Sequence, residues 1–98
     1  MKLSASQWRR ELSTQVAEVY AANPHVDAVI LGGSTARNHA DQFSDIEVGV
    51  FWHQPPTDIE RKEMANQTGG DVLRLYPYDE GEQVWCDDLM LGRKSLSK

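Results

Sequence analysis

The sequence has little with which to cross-link itself, cross a bilayer or grip a nucleic acid. Its one cysteine, Cys86, excludes an intrachain disulfide and makes a reducing cytoplasm the natural compartment. On an expected strand, Cys86 reads as a small apolar filler rather than a reactive thiol. No apolar run approaches the ~20 residues needed to span a bilayer, and no signal-peptide core is found. A membrane is therefore not an expected partner. Basic residues are outnumbered, 10 against 15 acidic, for a net charge of −5. They come at most in adjacent pairs, Arg9-Arg10, Arg61-Lys62 and Arg93-Lys94, which makes a poor surface for DNA or RNA. His25, His39 and His53 stand apart, none with a second ligand at zinc spacing. Repeats and low-complexity segments are absent as well.

What is present suits one globular domain. The chain has 98 residues, 40% hydrophobic and 26% charged, enough for a single modest core but not two. From Ser4 to about Ala22 the spacing predicts a helix. Ser4 and Gln7 fit a capping box, and Trp8, Leu12, Val16 and Tyr20 recur every four residues as one apolar stripe. Helical spacing makes Trp8 and Tyr20 core residues rather than a stacking surface for bases. Asn23-Pro24 ends the helix. Val26 to Leu31, nearly all apolar, reads as a central strand covered on both faces.

The chain is organised around Val29 to Trp52. Two apolar runs, Val29–Leu31 and Val48–Trp52, bracket Gly32-Gly33-Ser34 and a polar loop. Ser34 to about Ala40 suits a short helix with Ser34 as N-cap, whose free N–H groups would face an anion. Asp45 and Glu47 open the second strand on one face, with Ile46 and Val48 on the other. Two carboxylates about 6–7 Å apart along a strand make a poor core and a good seat for a divalent cation. Farther on, Thr57 with Glu60 caps a second, polar helix that keeps only a narrow buried stripe. Gly69-Gly70 ends that helix. Val72 to Tyr76 alternates as a third strand, with Val72, Arg74 and Tyr76 against Leu73 and Leu75. Asp79-Glu80-Gly81-Glu82 reads as a hairpin turn, leading into a fourth strand from Gln83 to about Leu91. The expected fold is α/β (α+β): a small mixed sheet with helices packed on it, in the order α-β-β-α-β-β.

Gly32-Gly33-Ser34 followed by Asp45-Ile46-Glu47, with Ala36-Arg37 and Phe43-Ser44 between, resembles the signature of nucleotidyltransferases of the DNA polymerase β superfamily. The likeness reaches the small bacterial members that adenylylate antibiotics or protein partners, and covers about a quarter of the chain. It implies that Gly32, Gly33 and Ser34 hold the phosphates of a nucleoside triphosphate, with Arg37 a candidate to pair with them. Asp45 and Glu47 would ligate Mg²⁺, a hard cation bound by one or two carboxylates plus substrate phosphates. The implied activity moves a nucleoside monophosphate from an NTP, ATP being the first choice, to a hydroxyl of a small molecule or protein.

The sequence departs from the family in two places. Active members usually carry a third carboxylate on a later strand, which commonly helps to activate the acceptor. Ser95-Leu96-Ser97 stands where small relatives place it, leaving Asp87 or Asp88 as substitutes. Alternation lets only one of the two face the site, and Asp88 is the choice. A C-terminal helical region that shapes the acceptor pocket in relatives is also missing. That leaves a minimal domain relying on a partner protein or homodimer, or a piece of a longer enzyme. The alternative to an enzyme is a weak or inactive nucleotide-binding or protein-interaction module, such as an antitoxin-like subunit.

Overall fold

The computed structural model describes residues 5–33, 43–92 and 94. Its elements follow the expected order: α1 (Ala5–Ala21), β1 (Val26–Gly33), β2 (Phe43–Trp52), α2 (Asp58–Gln67), β3 (Asp71–Leu75) and β4 (Trp85–Gly92). The expected cap at Ser4 and the short helix from Ser34 to Ala40 lie outside the described residues, as do Arg37 and His39.

The apolar stripe of α1 is the centre of the core. Trp8, Leu12, Val16 and Tyr20 are completely buried, each contributing roughly 1.5–3 kcal/mol through removal from water. They pack with Ile46, Val48 and Val50 of β2, Leu89 and Leu91 of β4, and Met64 and Ala65 of α2. The β2 and β4 residues alternate along their strands, and Ile46 lies opposite Leu89, so both helices cover one face of the sheet. The other face carries no helix among the described residues.

The four strands lie in the order β1-β2-β4-β3, and every pairing is antiparallel. The sheet, expected to be mixed from the order α-β-β-α-β-β, is thus antiparallel throughout. β2 and β3 do run in the same direction, as a helical crossover dictates. β4, returning from a hairpin, inserts between them and pairs with both. Asp79 anchors that hairpin as expected: its carboxylate accepts hydrogen bonds from the N–H groups of Gly81 and Glu82.

Two further expectations need correction. β1 is an edge strand, not a central one. Its apolar Ile30 is 57% exposed and lies across Gly49 of β2, where an added Cβ would stand only 2.7 Å from Ile30 Cγ1. Packing over a glycine thus satisfies part of the apolar character that sequence alone assigned to a second covering layer. In β3, strict alternation fails. The register shifts between Val72 and Arg74, so Leu73 is an extra residue, 45% exposed. Val72 and Leu75 both turn toward the helices, and Arg74 turns away. Helix α2 begins as read, with the Thr57 side chain accepting from the Glu60 N–H at 3.0 Å. Its narrow buried stripe contains Arg61 as well as Met64 and Ala65.

Candidate functional site

Register places three of the predicted residues, Gly32, Glu47 and Asp88, in one transverse row. Glu47 of β2 is the Cα partner of both Gly32 on β1 and Asp88 on β4. Directly opposed residues of an antiparallel pair project to the same side, with Cβ atoms about 4.5–5.5 Å apart. Gly32, Glu47 and Asp88 therefore share the helix-free face. An added Cβ at Gly32 would lie 3.7 Å from Glu47 Cβ, an ordinary contact, so the glycine leaves one side of Glu47 approachable without being required by packing. Asp45, two positions back on the same face, is opposite Met90 and only 2% exposed. Glu47 is open to solvent. The two members of the Asp-x-Glu pair thus differ in their access to solvent. Gly33 ends β1, while Ser34 and Arg37 fall outside the described residues.

Asp87 and Asp88 are separated by the pleat of β4. Asp88 faces the row. Asp87 points to the opposite side, fully buried, where Arg61 donates to its Oδ1 from Nε at 3.0 Å and from Nη2 at 2.6 Å. The Tyr20 hydroxyl donates to its Oδ2 at 3.3 Å. Burial pushes the Asp87 carboxyl above its usual range, with the Arg61 charge and the hydrogen bonds pulling the other way. The same Arg61 Nη2 donates to the Tyr76 and Cys86 carbonyls at 2.9 Å each. This network ties α1, α2 and the β3–β4 hairpin to β4, and so fixes the strand that presents Asp88.

Compared with protein-family models, curated proteins and solved structures, the chain matches none.

Beside Glu47 the helix-free face opens into a shallow groove of about 690 Å³, walled by Glu47, Tyr76, Tyr78, Asp79, Glu80 and Cys86. Burial raises the Cys86 thiol above its ordinary value, and the negative charges of Glu47, Asp79 and Asp87 add to the effect. Cys86, expected to be a small apolar filler, is only partly buried and lines the groove beside Glu47. The donor set of the row is all carboxylate oxygen, which suits a hard cation such as Mg²⁺ rather than zinc. Among the described residues no three His, Cys, Asp or Glu side chains form a ready-made ion site. An ion at Glu47 and Asp88 would need oxygen ligands from a substrate, as Mg²⁺ commonly does.

The sequence reading missed two residues here. Arg61 lies on a helix expected to be polar, and only its spacing of three and four residues from Met64 and Ala65 signals a place on the buried stripe. Arg74 was placed on a strand face that the bulge at Leu73 reassigns. It is the Cα partner of Asp88, extending the row to Gly32–Glu47–Asp88–Arg74.

Proposed function

We propose that this domain is a Mg²⁺-dependent nucleotidyltransferase, transferring a nucleoside monophosphate from an NTP, ATP being the first choice, to an acceptor hydroxyl. The observation that carries the reading is the register of β2 between β1 and β4. It sets Glu47 directly between Gly32 and Asp88 on a face that no described helix covers. Three residues singled out for phosphate, metal and acceptor chemistry thus become neighbours from three separate strands.

In this reading Gly32 and Gly33, at the end of β1, let the triphosphate approach the backbone closely. Glu47, with Asp88 and with Asp45 once its carboxylate is exposed, would hold Mg²⁺. When bound, the ion supplies charge neutralisation for the triphosphate and favours the ionised form of an acceptor hydroxyl. The acceptor oxygen forms a bond to the α-phosphorus. The bond from that phosphorus to the β-bridging oxygen breaks, pyrophosphate leaves, and an Asp88 carboxylate oxygen takes the hydroxyl proton. Asp87 takes no part, since it faces the core.

Calorimetric titration of ATP with and without Mg²⁺ tests the reading, on the wild type and on Glu47→Gln, Asp88→Asn and Asp45→Ala. Mg²⁺-dependent binding that is lost in Glu47→Gln is expected. ATP binding indifferent to both Mg²⁺ and Glu47 would remove the carboxylate row from the function.

The second reading, a nucleotide-binding or interaction module without chemistry, draws on the burial of Asp45. A closed first carboxylate leaves fewer open ligands than two-metal chemistry uses. It predicts Mg²⁺-dependent ATP binding with no pyrophosphate release for any hydroxyl acceptor.

A further inference from the structure

The bulge in β3 changes which side chain stands opposite Asp88. Asp71 pairs with Met90 and Val72 with Leu89. Continued without a shift, that register would set Leu73 opposite Asp88 and turn Arg74 toward the core. The extra residue instead delivers Arg74 to Asp88 and Leu75 to Asp87. Bulges commonly re-aim a side chain beside a functional site. Here the result is a cation on a face whose other charged residues at paired strand positions are Asp45, Glu47, Asp71 and Asp88. Among the described residues no carboxylate lies within ion-pair distance of Arg74. Its guanidinium rests over the Tyr76 ring, 4.5 Å from the centroid, a stacking that orients the planar fork and leaves its N–H edge available. Tyr76 in turn walls the groove beside Glu47.

Position in the row decides which ligand this cation meets. Three strand spacings separate Gly32 from Arg74, about 14–15 Å at the usual inter-strand distance. A triphosphate held at Gly32 therefore lies at the far end, and Arg74 flanks Asp88 on the side away from it. We propose that Arg74 is an acceptor-side anion contact, and that the acceptor carries a phosphate or carboxylate group near its reacting hydroxyl. The inference rests on the nucleotidyltransferase reading for the word acceptor. The carboxylates of the face would repel such a group in the empty site. A bound divalent cation reverses that local field, and a guanidinium recognises either anion through two parallel N–H donors.

The test uses the ¹⁵N-labelled chain, with Mg²⁺ and a non-hydrolysable ATP analogue added first. Inorganic phosphate and acetate are then titrated separately, following the Arg74 side-chain Nε–H and the amides of Gly32, Glu47 and Asp88. A saturable shift at Arg74 with one probe is expected, and that probe identifies the anion. Arg74→Gln should weaken it by about tenfold or more, with partial recovery in Arg74→Lys, while the analogue's own binding stays unchanged. Absence of a saturable shift from either probe overturns the inference and leaves the nucleotide site intact. So does an analogue that alone saturates Arg74, which would assign the residue to the nucleotide. Analogue that fails to move Gly32 and Glu47 overturns the functional reading, and with it the acceptor assignment, whatever the anions do at Arg74.

Discussion

Arg61 of α2 and Asp87 of β4 form an ion pair with Nη2 and Oδ1 2.6 Å apart, both side chains at most 3% exposed. A pair so buried is costly to break from one side, because the remaining charge has no solvent. Arg61→Met should therefore cost about 3–5 kcal/mol, read as a lower urea midpoint. The double variant Arg61→Met/Asp87→Leu should regain most of that loss. A double variant no more stable than the single one would show that Arg61 matters chiefly by holding the Tyr76 and Cys86 carbonyls.

Tyr20 shares the same carboxylate, and its phenol is pushed upward from the ordinary 10.0, first by burial and then by the charge of Asp87. The folded state thus keeps a proton that the unfolded chain releases. Stability from this group is complete below the unfolded value and declines as pH rises above it. Urea midpoints measured at about pH 9 and about pH 11 should fall more steeply for the wild type than for Tyr20→Phe. Parallel declines would exclude Tyr20 as the source. Near neutral pH, Tyr20→Phe should cost about 1 kcal/mol for the lost hydrogen bond.

Cys86 offers a chemical reading of the groove. Its alkylation by iodoacetamide should reach half-maximal rate at higher pH than a simple thiol, since only the thiolate reacts. Glu47→Gln removes one of the negative charges that raise it, so the midpoint should move down. An unmoved midpoint would mean that the two side chains do not sense each other.

Gly49 has room for no side chain beneath Ile30 and beside Val84, whose Cγ2 would be 3.3 Å from an added Cβ. Gly49→Ala should destabilise by about 1–3 kcal/mol, the usual range for overpacking. Ile30→Ala in the same chain should relieve part of that cost, because the tightest contact is with the Ile30 side chain. Thermal unfolding of the two variants checks the coupling; strictly additive losses would refute it.

Much of the fold was legible because its signals are local. Four residues at helical spacing announced the buried stripe of α1, and Thr57 with Glu60 marked the start of α2. Alternation showed that only one of Asp87 and Asp88 could share a face with Glu47, but which one depended on the register of β4 against β2. What sequence hid depends on partners distant in the chain. β1 looked central until Ile30 met Gly49, and Arg61 looked solvated until α2 met β4. The bulge at Leu73 has no composition of its own, so the face of Arg74 could not be read from alternation.

The placement of β4 between β2 and β3 has a consequence for synthesis. Both flanking strands emerge from the ribosome before the strand that joins them, and each waits with an unsatisfied edge. Until β4 arrives, Arg61 has no Asp87 and Glu47 has no Asp88, so the core and the site are completed in a single late event. A nascent chain paused before Trp85 is the form most exposed to mispairing with another copy, and the one a chaperone would be expected to hold.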